Sequence, residues 1–173
     1  MESKVSSKSI MLNYGLMLGV ISVLVSLTLY ATGNLITLGW VAGVISFIAM
    51  VIIIVLGIKK FKYENNNLLS FGQAVKVGIG IALISALVGI VYNLIFLNFI
   101  EPDFQNQVME IQRQAWQEAN MSTEQIEAAE GMAETFSGPA ITSAFSILAA
   151  AFFGFIISAI AGAIMKRSES DGY

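Results

Sequence analysis

Charged side chains leave three long gaps in this chain: residues 9–58, 77–100 and 135–165 contain no Lys, Arg, Asp or Glu. A helix needs about 20 apolar residues to cross roughly 30 Å of hydrocarbon, because it rises 1.5 Å per residue. The first gap holds two such spans, and each of the others holds one. The pattern predicts an all-α polytopic membrane protein with spans at about residues 10–30, 35–58, 72–100 and 139–165, forming a single membrane domain over 1–173. Gly33 and Asn34 tolerate left-handed backbone, so the first two spans should form a tight hairpin. Lys59, Lys60 and Lys62 are expected to stop the second span. Ser70 and Gln73 have capping-box spacing at the start of the third, where a Ser hydroxyl takes the free N3 amide and the Gln reaches back. Pro139 suits the first turn of the fourth, where its missing N–H costs nothing.

Residues 101–138 follow a different pattern. Phe104, Val108, Ile111, Ala115 and Ala119 fall at helical spacing among Gln, Asn and Glu. Ser122 and Gln125 make a second capping box, with Met121 placed to staple onto Ile126. Beyond it, Ile126, Ala129, Ala133 and Phe136 share one stripe, and Glu127, Glu130 and Glu134 share another. The segment predicts a hairpin of two short amphipathic helices between spans three and four, opened by Pro102 and closed by Gly138.

Composition narrows the class. Charged residues make up 12% of the 173, about half the share of an ordinary soluble domain, while 56% are hydrophobic. Mean hydropathy is +0.75. These values exclude an ordinary soluble enzyme, a disordered chain and a charged nucleic-acid binder. With no His and no Cys, zinc sites of the usual kind, disulfides, thiol chemistry and imidazole catalysis have no residues to use. No cofactor is expected. Without a nucleophile–base pair, neither is an enzyme.

Orientation follows from the bases. Lys4, Lys8, Lys59, Lys60, Lys62, Lys76, Lys166 and Arg167 fall on one side of a four-span chain, and Arg113 alone falls on the other. By the positive-inside rule both termini are then cytoplasmic and 101–138 is extracytoplasmic. Lys4 and Lys8 ahead of an apolar run also suggest a signal peptide. The run exceeds the usual 7–15 residues, however, and no small-x-small cleavage site follows, so a retained anchor is expected. The acids of 101–138 are expected to form a solvated face. A sharper reading makes Glu127, Glu130 and Glu134 a weak cation face, although calcium usually needs six to eight oxygens from a preformed loop.

Ionisable groups in the spans reduce to Lys76, close enough to the cytoplasmic end to snorkel. Small residues recur every four positions: Gly15 and Gly19, followed by Ser22 and Ser26; Gly39 and Gly43; Gly78, Ala82 and Ala86; Ala150, Gly154, Ser158 and Gly162. Such faces let helix backbones approach closely where hydrophobic burial cannot drive association. They serve packing within the bundle or a homo-oligomer.

Gly57-Ile-Lys-Lys-Phe-Lys62 and Leu69-Ser-Phe-Gly-Gln-Ala-Val-Lys-Val-Gly78 resemble an uncharacterised membrane family, domain of unknown function 4199. The resemblance runs from about Asn13 to Lys166. It implies a bacterial inner-membrane protein and supplies no activity, substrate or catalytic residue. Lys59, Lys60, Phe61, Lys62, Phe71, Gln73 and Lys76 form either a lipid-anchored re-entry or a docking loop for a partner. The expected role is a non-enzymatic accessory or interaction protein. Its expected partners are the lipid bilayer and a second copy or another membrane protein. The alternatives are a small oligomeric transporter or channel, with a water path lined by Tyr92 and Asn93, and an envelope sensor using the acidic hairpin.

Overall fold

The computed structural model describes residues 6–167. They form α1 (Ser7–Ala31), α2 (Gly39–Glu64), α3 (Phe71–Ile95), a π-helical turn (Phe96–Ile100), α4 (Phe104–Glu118), α5 (Thr123–Ser137) and α6 (Pro139–Met165). Four helices are long and apolar enough to cross a membrane: α1, α2, α3 continued through Ile100, and α6. In hydrocarbon every backbone N–H and C=O needs a partner inside its own segment, which an α-helix provides. Lys4 lies outside the described residues.

The turn between α1 and α2 uses Gly33 at φ +71°. Its neighbour Asn34 donates its side-chain amide to the Thr32 carbonyl at 2.9 Å. Residues 35–38 remain in this turn, so α2 begins at Gly39, later than the apolar pattern suggested. At its other end α2 runs past the expected stop: Lys59, Lys60 and Lys62 lie within the helix, which continues to Glu64. Lysine is a good helix former, so these residues mark where hydrocarbon ends and leave the helix intact. Lys60 pairs with Glu64 at 3.0 Å, one helical turn away. The following reversal uses Asn66 (φ 53°) and Asn67 (φ 61°), whose side chains suit left-handed backbone.

The chain divides into two compact units. Among the described residues the first comprises 6–89 and 147–167; the second is Ile90–Ser146. In the first unit, the glycines record two helix registers. A Cβ on Gly15 would fall 2.6 Å from Cβ of Ile84, and one on Gly19 would fall 2.6 Å from Cβ of Val88. Advancing four residues along α1 thus advances four along α3, so these helices run parallel. A Cβ on Gly162 would meet Cβ of Ala74 at 2.8 Å, and one on Gly154 would meet Cβ of Ala82 at 2.7 Å. Between these pairs Gly78 sits against Ser158. Here four residues forward on α3 match four backward on α6, so these two run antiparallel. Both relations are those of an up-and-down bundle.

The buried core of this unit is uneven. On α1 it runs from Ile10 to Gly19 and no further. On α2 it starts only at Ile53 and ends at Phe61. On α3 it spans Ala74 to Ala82, and on α6 Gly154 to Gly162. Close packing is therefore concentrated toward the end where α1 starts and α2 stops.

The second unit holds α4 and α5. Phe96 is buried and its ring meets Tyr92 at 5.7 Å and Phe104 edge-on at 5.3 Å. The π turn is closed by the Glu101 amide donating to the Phe96 carbonyl at 2.8 Å, five residues back. The Ser122–Gln125 capping box is formed in both directions. Pro102 lies in the turn ahead of α4, which begins at Phe104. Gly138 is extended (φ −57°, ψ 140°), as sterics before a proline require, and α6 starts at Pro139. The half-buried face of α4 carries Phe104, Val108, Met109 and Trp116, while Ile111, Ala115 and Ala119 are exposed. The apolar stripe is thus rotated from the spacing expected beyond Val108, toward the large ring of Trp116.

Candidate functional site

The strongest constellation of chemically distinctive residues is the basic end of the first unit. It is assembled by two backbone hydrogen bonds and one from a side chain to a backbone carbonyl. The Leu69 amide donates to the Arg167 carbonyl at 3.0 Å, and the Arg167 amide returns a bond to the Leu69 carbonyl at 2.9 Å. The Lys62 ammonium donates to the Met165 carbonyl at 2.8 Å. That carbonyl is one of the last of α6, which lack intrahelical partners, and a cation there also opposes the helix dipole. Met11 packs against Gly80 and Tyr14 lies beside Gly57, which brings the start of α1 to the same end. Lys8, Lys59, Lys60, Lys62, Lys76, Lys166 and Arg167 therefore share one end of the unit. Arg113 belongs to the other unit.

The candidate docking loop separates into two groups of residues. Phe61 is buried among the core residues and offers no surface to a partner. Its expected place in a docking loop is corrected to a place in the core, since it lies on the inward face of the last turns of α2. Gln73 is held by the cap: its Oε1 accepts from the Ser70 amide at 2.8 Å, while the Gln73 amide donates to Ser70 Oγ at 3.2 Å. Lys60 is paired with Glu64, and Lys62 is committed to the α6 terminus. That leaves Lys8, Lys59, Lys76, Lys166 and Arg167 with exposed side chains, beside exposed Tyr63 and Phe71. Cations interleaved with aromatics suit an anionic headgroup region.

The expected cation face takes a different arrangement. Glu130 turns to Arg113 of α4, whose Nε lies 2.5 Å from its carboxylate, while Glu127 and Glu134 are exposed. Among the described residues no three Asp or Glu come together as a metal-ligand group. The one base of the segment has captured the central carboxylate, so the three acids are not a shared site. The Gln105 amide also reaches the Ser137 carbonyl at 3.4 Å, consistent with α4 and α5 meeting antiparallel.

Hydrogen bonding to Arg113 holds the Glu130 carboxyl below its ordinary range, and Glu130 raises the Arg113 guanidinium. With the folded value depressed, the stabilisation is present above the unfolded carboxylate range and is lost as pH falls through the folded value. Arg113 stays charged throughout ordinary pH. The contact between α4 and α5 is thus expected to be constant from pH 8 to 5 and to loosen in strong acid. Because the chain has no Cys, spin labels on Gln117→Cys and Ala128→Cys would report that distance without background. In Glu130→Gln the acid-induced change should disappear.

The small-residue faces also differ in use. Gly15, Gly19, Gly154 and Gly162 lie at close helix contacts, and Ser158 fills the space opposite Gly78. Gly39 and Gly43 have nothing within 4 Å of where a Cβ would stand. Tyr92 packs its ring against Phe96 at a tilt of 37°. Sequence reasoning overlooked the core role of Leu69, which is 1% exposed although it sits in a polar loop. The apolar pair Leu68-Leu69 between the Asn-rich and Ser-Phe-Gly segments is the only sign in the sequence.

Fold and composition together define a helical protein with four membrane-span-like helices and a separate unit of two amphipathic helices. The family model described as "Protein of unknown function (DUF4199)" matches residues 13–167, and the chain belongs to that family. Neither the curated proteins nor the solved structures contain a match.

Proposed function

We propose that this chain is a non-enzymatic accessory protein of the bacterial inner membrane, inserted with both termini in the cytoplasm and the α4–α5 hairpin outside. The observation that carries this reading is the basic end. Seven Lys or Arg from the start of α1, the α2–α3 re-entry and the end of α6 gather on one end of a unit whose spans hold a single acid, Glu64, at that same end. Lys62 and the Leu69–Arg167 pairing make that end a fixed platform. Its exposed Lys8, Lys59, Lys76, Lys166 and Arg167 face anionic headgroups or the acidic surface of a partner. The spans offer packing faces and no buried charge pair, which favours an interaction role over ion or proton transport.

Two measurements test the proposal. Topology reporters fused after residue 120 and at the C-terminus should report outside and inside, respectively. An inside signal at residue 120 would overturn the orientation. Cross-linking in native membranes followed by affinity purification should recover a reproducible membrane neighbour, and its recovery should fall when Lys59, Lys76 and Lys166 are replaced by Gln. Recovery that ignores these changes would remove the basic end from the interaction.

A further inference from the structure

A cavity of about 240 Å³ lies among the four helices of the first unit. Its polar lining comprises Ser22 of α1, Ser46 of α2 and Ser85 of α3; the remainder is apolar and includes Leu18, Phe47 and Phe153. It sits where close packing ends, since Gly19 is the last buried residue of α1 and Ser22 follows one turn later.

None of the three serine hydroxyls folds back onto its own helix. A hydroxyl in a span usually folds back onto the carbonyl four residues earlier. Thr28 does so to Leu24 at 2.8 Å, Ser146 to Thr142 at 2.8 Å, and Ser158 to Gly154. Among the described residues no such bond holds Ser22, Ser46 or Ser85. Three serines from three helices thus line one space, and no hydrogen bond among the described residues holds their hydroxyls. In hydrocarbon that arrangement is unfavourable unless something else completes the hydrogen bonds.

We propose that this cavity binds the oxygen-bearing head of a neutral, chain-bearing amphiphile drawn from the membrane, of the long-chain alcohol or monoacylglycerol class. No charged residue lines the space, so a charged head would be left unpaired. A ligand hydroxyl both donates and accepts, and so does each serine. The volume is just below the roughly 300–1,000 Å³ of pockets that enclose a whole small molecule. It fits a head with the first part of a chain, the rest lying outside. The source is the bilayer because the apolar rim is on the lipid-facing surface. Phe47 and Phe153 meet edge-to-face at 5.6 Å and remain 44% and 40% exposed.

The test uses the full chain in phospholipid nanodiscs with a diazirine-bearing hexadecanol as the probe. On photolysis, saturable labelling is expected on the peptides carrying Phe47 and Phe153. Unlabelled hexadecanol should compete and glycerol should not. The combined Ser22→Ala, Ser46→Ala and Ser85→Ala variant should label about tenfold less, as the loss of one or two ordinary hydrogen bonds predicts. Ala150→Leu, which fills the cavity and keeps the serines, should lose labelling as well; it carries the test if the triple variant is not monodisperse. Labelling that does not saturate, spreads over the other lipid-facing positions and survives both changes would overturn the site. Competition by glycerol and not by hexadecanol would overturn the membrane source.

Discussion

Gly78→Val is expected to disrupt the four-helix unit, whereas Gly43→Val is expected to leave it intact. Both glycines lie inside apolar helices and both belong to four-residue repeats of small side chains. Their surroundings differ. A Cβ on Gly78 would land on the Cβ of Ser158, 2.9 Å from its Oγ and 3.1 Å from Cγ2 of Ile54. Ser158 has no exposure, and its Cβ is fixed by its own backbone, so it cannot swing away. The neighbouring pairs, Gly162 with Ala74 and Gly154 with Ala82, hold α3 and α6 at the same close spacing on either side. To admit a side chain the two helices must separate along the whole seam. Overpacking a core by a few carbons costs about 1–3 kcal/mol, and a branched side chain at the centre of a seam belongs at about 3 kcal/mol or above. That is a large part of the 5–15 kcal/mol that holds a typical domain together. At Gly43 nothing lies within 4 Å, so Val should change stability by no more than about 0.5 kcal/mol. Unfolding of each variant in detergent, followed by its monodisperse fraction, separates the two cases. Should Gly43→Val prove the more damaging, the Gly39–Gly43 face would be in contact with a second copy.

The same comparison shows which parts of the fold were legible beforehand. Span number and most boundaries followed from the charge gaps because hydrocarbon imposes one rule on every backbone group. The fourth span matched at both ends, since Pro139 can only open a helix and Lys166 follows its close. Both capping boxes formed, because a Ser and a Gln three residues apart need only their own turn to satisfy each other. What local chemistry could not supply was direction around the helix axis. A repeat of Gly every four residues states that one face is smooth; it does not state what faces it. Gly15 and Gly154 found partners and Gly39 did not. Along the sequence Glu127, Glu130 and Glu134 look alike on one stripe of α5; only the fold shows that Arg113, seventeen positions earlier than Glu130, takes the middle one. Ser22 is visible in sequence only as part of a small-residue face, and Ser46 and Ser85 not at all, since the three share one cavity only when three helices are in register.

Phe61→Ala and Tyr63→Ala should separate the structural part of the basic end from its accessible part. The two aromatics are two residues apart in the last turns of α2, which places them on different faces. Phe61 is 5% exposed and belongs to the core with Ile58 and Leu69; Tyr63 is 72% exposed. Truncating a buried Phe in a soluble core costs about 3–5 kcal/mol, from lost transfer energy together with the cavity left behind. Next to lipid the transfer part shrinks, because the unfolded side chain also finds an apolar environment, and the packing part remains. About 2–3 kcal/mol is therefore expected for Phe61→Ala. The loss should reach Leu69, and through its paired backbone bonds the Arg167 end of α6, so amide exchange at Leu69 and Arg167 should accelerate in this variant. Tyr63→Ala should leave both stability and exchange unchanged. If the platform serves a partner or a lipid surface, Tyr63→Ala should still weaken that association, since Lys60 holds its ammonium 5.9 Å from the Tyr63 ring centre at the exposed edge. A variant that folds like the parent and associates less would locate recognition on the outer face of α2. Loss of association only in Phe61→Ala would locate the effect in the core and leave the outer face without a role.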